Sequence, residues 1–321
     1  MSAGYKYKLA DCDVADKRAL ESYRAKRATW LSWINTDEHH AIWDVLAGMV
    51  WTDISFRSLT QFAIDDENSA LHNTLLTEAL IGGHVATQVL AIRRLVDNRG
   101  DDVISLRKLL KDIRSNFPLL TRENYVCFDG LPYDYEAVQR KDMANRVGKG
   151  FFWGATEGPE AYGTSRMGHE QFDRLAGIDD AKRCRTDRLP LCLLDTIEKW
   201  VDDSDAGELA KWSHAYLAHA GGPTKRDIEA GFVTTNKIRA SIKALVRVTE
   251  ALSAWLLWSS GRSGSLMPVA QFNPFEKLDS PIMRIGGQDD AYKLWHQLSD
   301  DSYCYLEGLE AELIQRANAV R

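Results

Sequence analysis

A chain of 321 residues and 36.2 kDa is long enough for two domains, or for one large helical domain with an insertion. Apolar residues make up 45% and charged residues 27%, an ordinary globular composition that excludes a disordered chain or a low-complexity fibre. The net charge of −6 excludes a protein that coats long nucleic acid and leaves room only for a short, local RNA contact.

From Asp16 to Asn35, Leu20, Tyr23, Ala28, Leu31 and Ile34 recur at helical spacing. A second helix is predicted over about Asp37–Ile64, with Asp37 and Glu38 opening it as the helix dipole favours. A third, about Ser69–Asn98, is apolar on most faces and is therefore expected to be central and largely buried. Its uncharged run, Ala79–Ile92, is 14 residues long, too short to span a bilayer. Ser105–Ser115 reads as a short helix that Pro118 stops. Residues 116–177 hold Pro118, Pro132, Pro159 and eight glycines, so loops, short helices and little regular packing are expected there.

Helical pattern resumes at Asp179 and runs to Asp203, with Pro190 as a kink or boundary. Residues 207–220 form another helix, stopped by Gly221-Gly222-Pro223, after which Thr224 is a predicted cap. Thr234 or Thr235 caps the clearest amphipathic helix, whose face is Ile238, Ile242, Leu245, Val248, Leu252 and Trp255/Leu256. After a Gly/Ser/Pro-rich stretch over 260–285, a last helix covers about Asp289–Ala317. No stretch reads as a strand. The fold class is all-α: a helical bundle from 1–115 and 178–321, with an irregular Gly/Pro-rich insertion at 116–177.

Cys12, Cys127, Cys184, Cys192 and Cys304 are scattered and form no C-x-x-C, a pattern of a reducing compartment. The N-terminus has no apolar leader, so a soluble, cytoplasmic protein without membrane contact is expected. Gly148, Gly150 and Gly154 fit neither a phosphate loop nor the dinucleotide fingerprint. His39 and His40 are adjacent, and His214 and His219 lie about 140° apart on an α-helix, so no metal site and no cofactor are expected. His72 and His84 read as core or interface histidines.

The segment Lys211-Trp212-Ser213-His214-Ala215-Tyr216-Leu217-Ala218-His219-Ala220 ends a helix ahead of Gly221-Gly222-Pro223 and Thr224. Here the chain resembles the AbiU-like, abortive-infection branch of the HEPN superfamily, whose signature at this point reads like W-R-D-K-x-x-A-H. Four further stretches resemble that branch in the same order: Ile92–Asp97, Ser105–Leu110, Thr121–Val126 and His169–Leu175. The resemblance spans about residues 40–260 and implies a HEPN-like bundle and a metal-independent endoribonuclease in which two motifs meet across a homodimer. His219 takes the place of the terminal histidine and His214 that of the polar residue, while Ser213 stands where the family has arginine. No histidine in the chain has an arginine five to seven residues before it.

The chemistry explains the residue types. An imidazole can exchange the proton of an attacking 2′-hydroxyl near neutral pH, and a guanidinium can hold charge on the phosphate. His219 is therefore expected as general acid/base, with His214 orienting it or the substrate. Arg94, at the end of the third helix in an R-L-x-D, is the expected phosphate cation; its purely structural role would be an i+3 ion pair with Asp97. Lys211, Tyr216, Lys225 and Arg226 are the expected substrate-binding residues. Without the motif arginine, the alternative is a catalytically inactive HEPN fold serving as a binding or assembly module. Phe151, Phe152, Trp153 and Tyr162 of the insertion would then be anchors for an antitoxin or other protein partner.

Overall fold

The computed structural model describes residues 4–64, 69–98, 103–145, 154–218 and 233–259, with a few single positions between 292 and 300. The chain forms two units, Met1–Val269 and Ala270–Arg321. In the second, the described rings of Tyr292 and His296 meet edge to face at 4.2 Å. In the first, all the described regular elements are helical; the one β-type pairing is an isolated antiparallel bridge between Thr121 and Arg188.

Helix α1 (Lys17–Leu31) starts where the Asp16 carboxylate accepts the backbone N–H groups of Arg18 and Ala19. Its buried residues Leu20, Tyr23, Arg24, Arg27 and Trp30 follow the helical period, and the Trp30 indole donates to Asp112 Oδ2 at 2.7 Å. It continues into a π-wound turn over Ser32–Thr36. Helix α2 (Ile42–Ile64) begins later than Asp37 and Glu38 suggest. Asp37 Oδ1 instead accepts the N–H groups of His39 and His40, so it closes a turn ahead of the helix.

Helix α3 (Thr74–Val96) is capped by Asn73 and buries His84, Gln88, Val89, Ile92 and Leu95. The expectation that it is largely buried does not hold. Only 22% of its most apolar 18-residue window is buried, although by length and composition it could cross a membrane. Composition records how apolar a helix is, not which neighbour covers it.

Helix α4 (Leu106–Ser115) matches its predicted span: the Ser105 hydroxyl accepts Lys108 N–H, and Leu106, Leu109, Leu110 and Ile113 are buried. Burying each of these is worth about 1.5–3 kcal/mol. Arg114 clamps Glu198 with two bonds, at 3.0 and 2.7 Å, tying α4 to α8 (Cys192–Asp202), which starts two residues after Pro190. The short α9 (Ala206–Ser213) packs along α3, and α10 (Thr235–Glu250) packs on α2, α3, α8 and α9. Thr234 caps α10, and the predicted face is buried through Leu252 and Leu256, whereas Trp255 is exposed.

The described residues of the segment 116–177 form more regular structure than its composition suggests. All six residues of α5 (Arg122–Cys127) are buried. After α6 (Tyr135–Asn145), α7 (Tyr162–Ala176) seats Phe172 in the core. Glycines serve close packing here. Gly130, at φ 85°, lies against Tyr7, and a Cβ would stand 2.5 Å from the ring. Gly130→Ala is therefore expected to destabilise the fold by about 2 kcal/mol in urea unfolding, from backbone strain plus displacement of Tyr7.

Candidate functional site

The His214 segment is built by the junction of α9 with a π-wound turn, His214–Ala218. Helix α9 turns Ala206, Leu209 and Ser213 into the core and leaves Lys211 at the surface. Ser213, where the resembled motif has arginine, is completely buried, and its hydroxyl has no partner among the described residues. A guanidinium at this position would have to enter a site that is closed to solvent. His214 is half-buried at the junction. Tyr216 is exposed and stacks on Trp212, with ring centroids 5.2 Å apart, and Leu217 beside it is exposed too. In a π-wound turn the hydrogen bonds run from i to i+5. The described part of this turn ends at Ala218, so the expected separation of about 140° between His214 and His219 lies outside the described residues.

Lys211, His214 and Tyr216 thus share one continuous segment. His219, Lys225 and Arg226, like the predicted Thr224 cap, lie outside the described residues, as do Phe151, Phe152 and Trp153 and the predicted helix at 289–317 beyond single positions. Arg94 sits on α3, the helix that α9 packs against. Its guanidinium donates to the His39 carbonyl at 3.3 Å and contacts His40 Nδ1, so it ties the end of α3 to the turn that precedes α2. Asp97 is the C-cap of α3.

Two buried polar clusters have no local signal in the sequence. In one, Asp53 of α2 bonds Arg57 at 2.9 Å and Arg239 of α10 at 3.3 Å. His84 of α3 lies 3.9 Å from the same carboxylate and stacks on Phe56 at 4.0 Å. His84 is buried, as a core histidine should be, and burial pushes its pKa down.

The other cluster joins two of the stretches that resemble the HEPN branch. Arg122, completely buried, donates to Asp173 at 2.6 Å and to Asp187 at 2.8 Å. Arg183 adds two bonds to Asp173 Oδ2, at 2.8 and 2.6 Å, and donates to the Tyr135 hydroxyl at 2.9 Å. Burial alone would raise the pKa of Asp173, but the bonds from Arg183 and Arg122 outweigh it and hold that pKa below the usual value. His169 Nε2 meets the Tyr133 carbonyl at 3.0 Å, which fixes the proton on Nε2. Burial, helped by the charge of Arg122, lowers the pKa of His169 to about 4.

The thiols of Cys12, Cys127, Cys184 and Cys192 are free. No group of three or more metal-ligating side chains occurs among the described residues. No protein-family model, curated protein or solved structure matches the chain.

Proposed function

We propose that this chain is a HEPN-type protein of the abortive-infection kind that pairs with a second copy in the cytoplasm and brings its His214–His219 segments to RNA. The observation that carries this reading is an apolar face around that segment. Among the described residues eleven large hydrophobic side chains are exposed, and six of them lie on α2, on α3 and on the π-wound turn that follows α9, the helix packed along α3. These are Trp51 on α2, Leu75, Ile81 and Leu90 on α3, and Tyr216 and Leu217 on the π-wound turn. At about 100° per residue, Leu75, Ala79, Gly82 and Leu90 fall within about 80° of one another on α3, while Ile81, about 180° from Leu90, stands apart from that face. A Cβ at Gly48, Gly82 or Gly83 would meet nothing within 4 Å, which leaves room for a helix to approach closely. An apolar face of this kind is covered in the working protein, and a second copy covers it symmetrically.

On this reading His219 is the general acid/base, His214 orients it, and Lys211 supplies the nearest cation on the same segment. The burial of Ser213 favours a second reading, a non-catalytic assembly module on the same dimer face, because the family's arginine has no substitute at its own position. Sedimentation velocity is expected to show a dimer that Leu75→Lys/Leu90→Lys converts to a monomer. A wild-type monomer at tens of micromolar would remove the pairing, and co-sedimentation with liposomes would assign the face to a membrane instead. With RNA and chelator, the nuclease reading expects cleavage by the wild type and none by His219→Ala. No cleavage by either protein leaves the assembly module.

A further inference from the structure

We propose that a cavity between α8, α10 and the π-wound turn Ala251–Leu256 is a nucleobase pocket, in which a base stacks on Trp255 and its phosphate meets Arg247. The cavity has a volume of about 430 Å³, in the range of small-molecule sites, and Ile197 and Val246 supply apolar walls. Trp200 and Trp255 add two aromatic faces.

Trp255 is the decisive residue. The residue is 46% exposed, yet two hydrogen bonds from other helices hold its carbonyl and a third holds that of Ala254. The Tyr125 hydroxyl donates to the Trp255 carbonyl at 2.7 Å. Gln171 donates to the Ala254 carbonyl at 2.8 Å and to the Trp255 carbonyl at 3.3 Å. These carbonyls lie in the last turn before Leu257, where a helix end leaves its acceptors unpaired, and the two side chains capture them. The result is an exposed indole on a fixed support, which a ligand meets with little ordering cost.

The polar groups around it match a nucleotide. The Arg247 guanidinium lies over Trp200 at 4.8 Å, and Arg174 lies 6.0 Å from the Trp255 ring, so both cations stand beside aromatic faces. Aromatic stacking holds any base, and arginine holds its phosphate.

The choice of a nucleotide rests on the RNA reading proposed for the chain, but the test does not need cleavage. Titrating the full chain with AMP in a calorimeter is expected to give saturable binding, with adenosine, which lacks the phosphate, about tenfold weaker. Trp255→Ala is expected to lose about tenfold or more, the scale of one base–aromatic stack, and Arg247→Ala to bind AMP no better than adenosine. Trp255→Phe keeps a ring should the alanine variant fail to fold, and is expected to retain most of the affinity. No saturable AMP binding, or equal binding by wild type, Trp255→Phe and folded Trp255→Ala, would overturn the pocket. AMP binding without RNA cleavage leaves the pocket standing and removes the nuclease; cleavage without AMP binding does the reverse.

Discussion

Arg122→Met is expected to destabilise the fold by about 3–5 kcal/mol, enough to unfold a protein of ordinary stability at moderate temperature. The methionine fills much of the same space, so the loss is electrostatic rather than a cavity. Asp173 and Asp187 each lose a bond, of 2.6 and 2.8 Å, and remain in a buried junction. Asp173 keeps two bonds from Arg183, and Asp187 Oδ2 keeps the Cys184 N–H at 2.8 Å, which places the effect toward the lower end. Adding Asp187→Asn to Arg122→Met removes a stranded charge, so the double variant is expected to be less destabilised than the sum of the singles by about 1–3 kcal/mol. Urea unfolding of the four proteins measures that coupling. Strict additivity would show that the ion pair is not what joins α5 to the segment 183–189. Arg122→Lys keeps one charge but cannot reach both carboxylates in fixed geometry, and belongs between wild type and Arg122→Met.

That cluster shows where reading a sequence stops. Local signals are legible. Thr234 as a cap, Pro118 as a stop and the apolar face of α10 all depend on residues within a few positions of each other, whereas the helix expected from Asp179 is only a 3-10 turn at Asp180–Lys182, and α8 begins at Cys192, beyond Pro190. The partners of Arg122 lie 51 and 65 positions away, and no local pattern announces them. The same distance hides the order of α5. Its first N–H groups bond the carbonyls of Asp187 and Arg185, which offsets the glycines and prolines around it. The π-wound turns at Ser32, His214 and Ala251 continue α-helices without a break in apolar content, so the period alone does not reveal them. For the candidate site, the segment holding Lys211, His214 and Tyr216 is legible because its residue types carry chemistry. Arg94 reads as a free cation only because its bond to the turn at His39 and His40 spans 55 residues.

Between pH 6.5 and pH 4 the fold is expected to lose about 3 kcal/mol through His169 alone. Its folded pKa of about 4 lies below the ordinary 6.5, because burial first and Arg122 second disfavour the charged ring. Above pH 6.5 the ring is neutral in both the folded and the unfolded chain, and the fold keeps its full stability. As the pH falls from 6.5 toward 4, the unfolded chain takes up a proton that the folded chain refuses, so unfolding becomes easier. Below about 4 both states are protonated and this loss is complete. Asp173 has the opposite chemistry, and its lowered pKa makes it matter only below the ordinary carboxylate value, under the histidine window. His84, also pushed down by burial, adds a slope of the same sign. His169→Gln keeps a donor for the Tyr133 carbonyl but cannot titrate. Its urea midpoint should fall distinctly less than that of the wild type between pH 7.5 and pH 4.5, with the remaining slope carried by His84. An unchanged pH slope in His169→Gln would mean that the ring takes its proton in the folded state at an ordinary pH, and that the junction of Arg122, Arg183 and Asp173 is open to water.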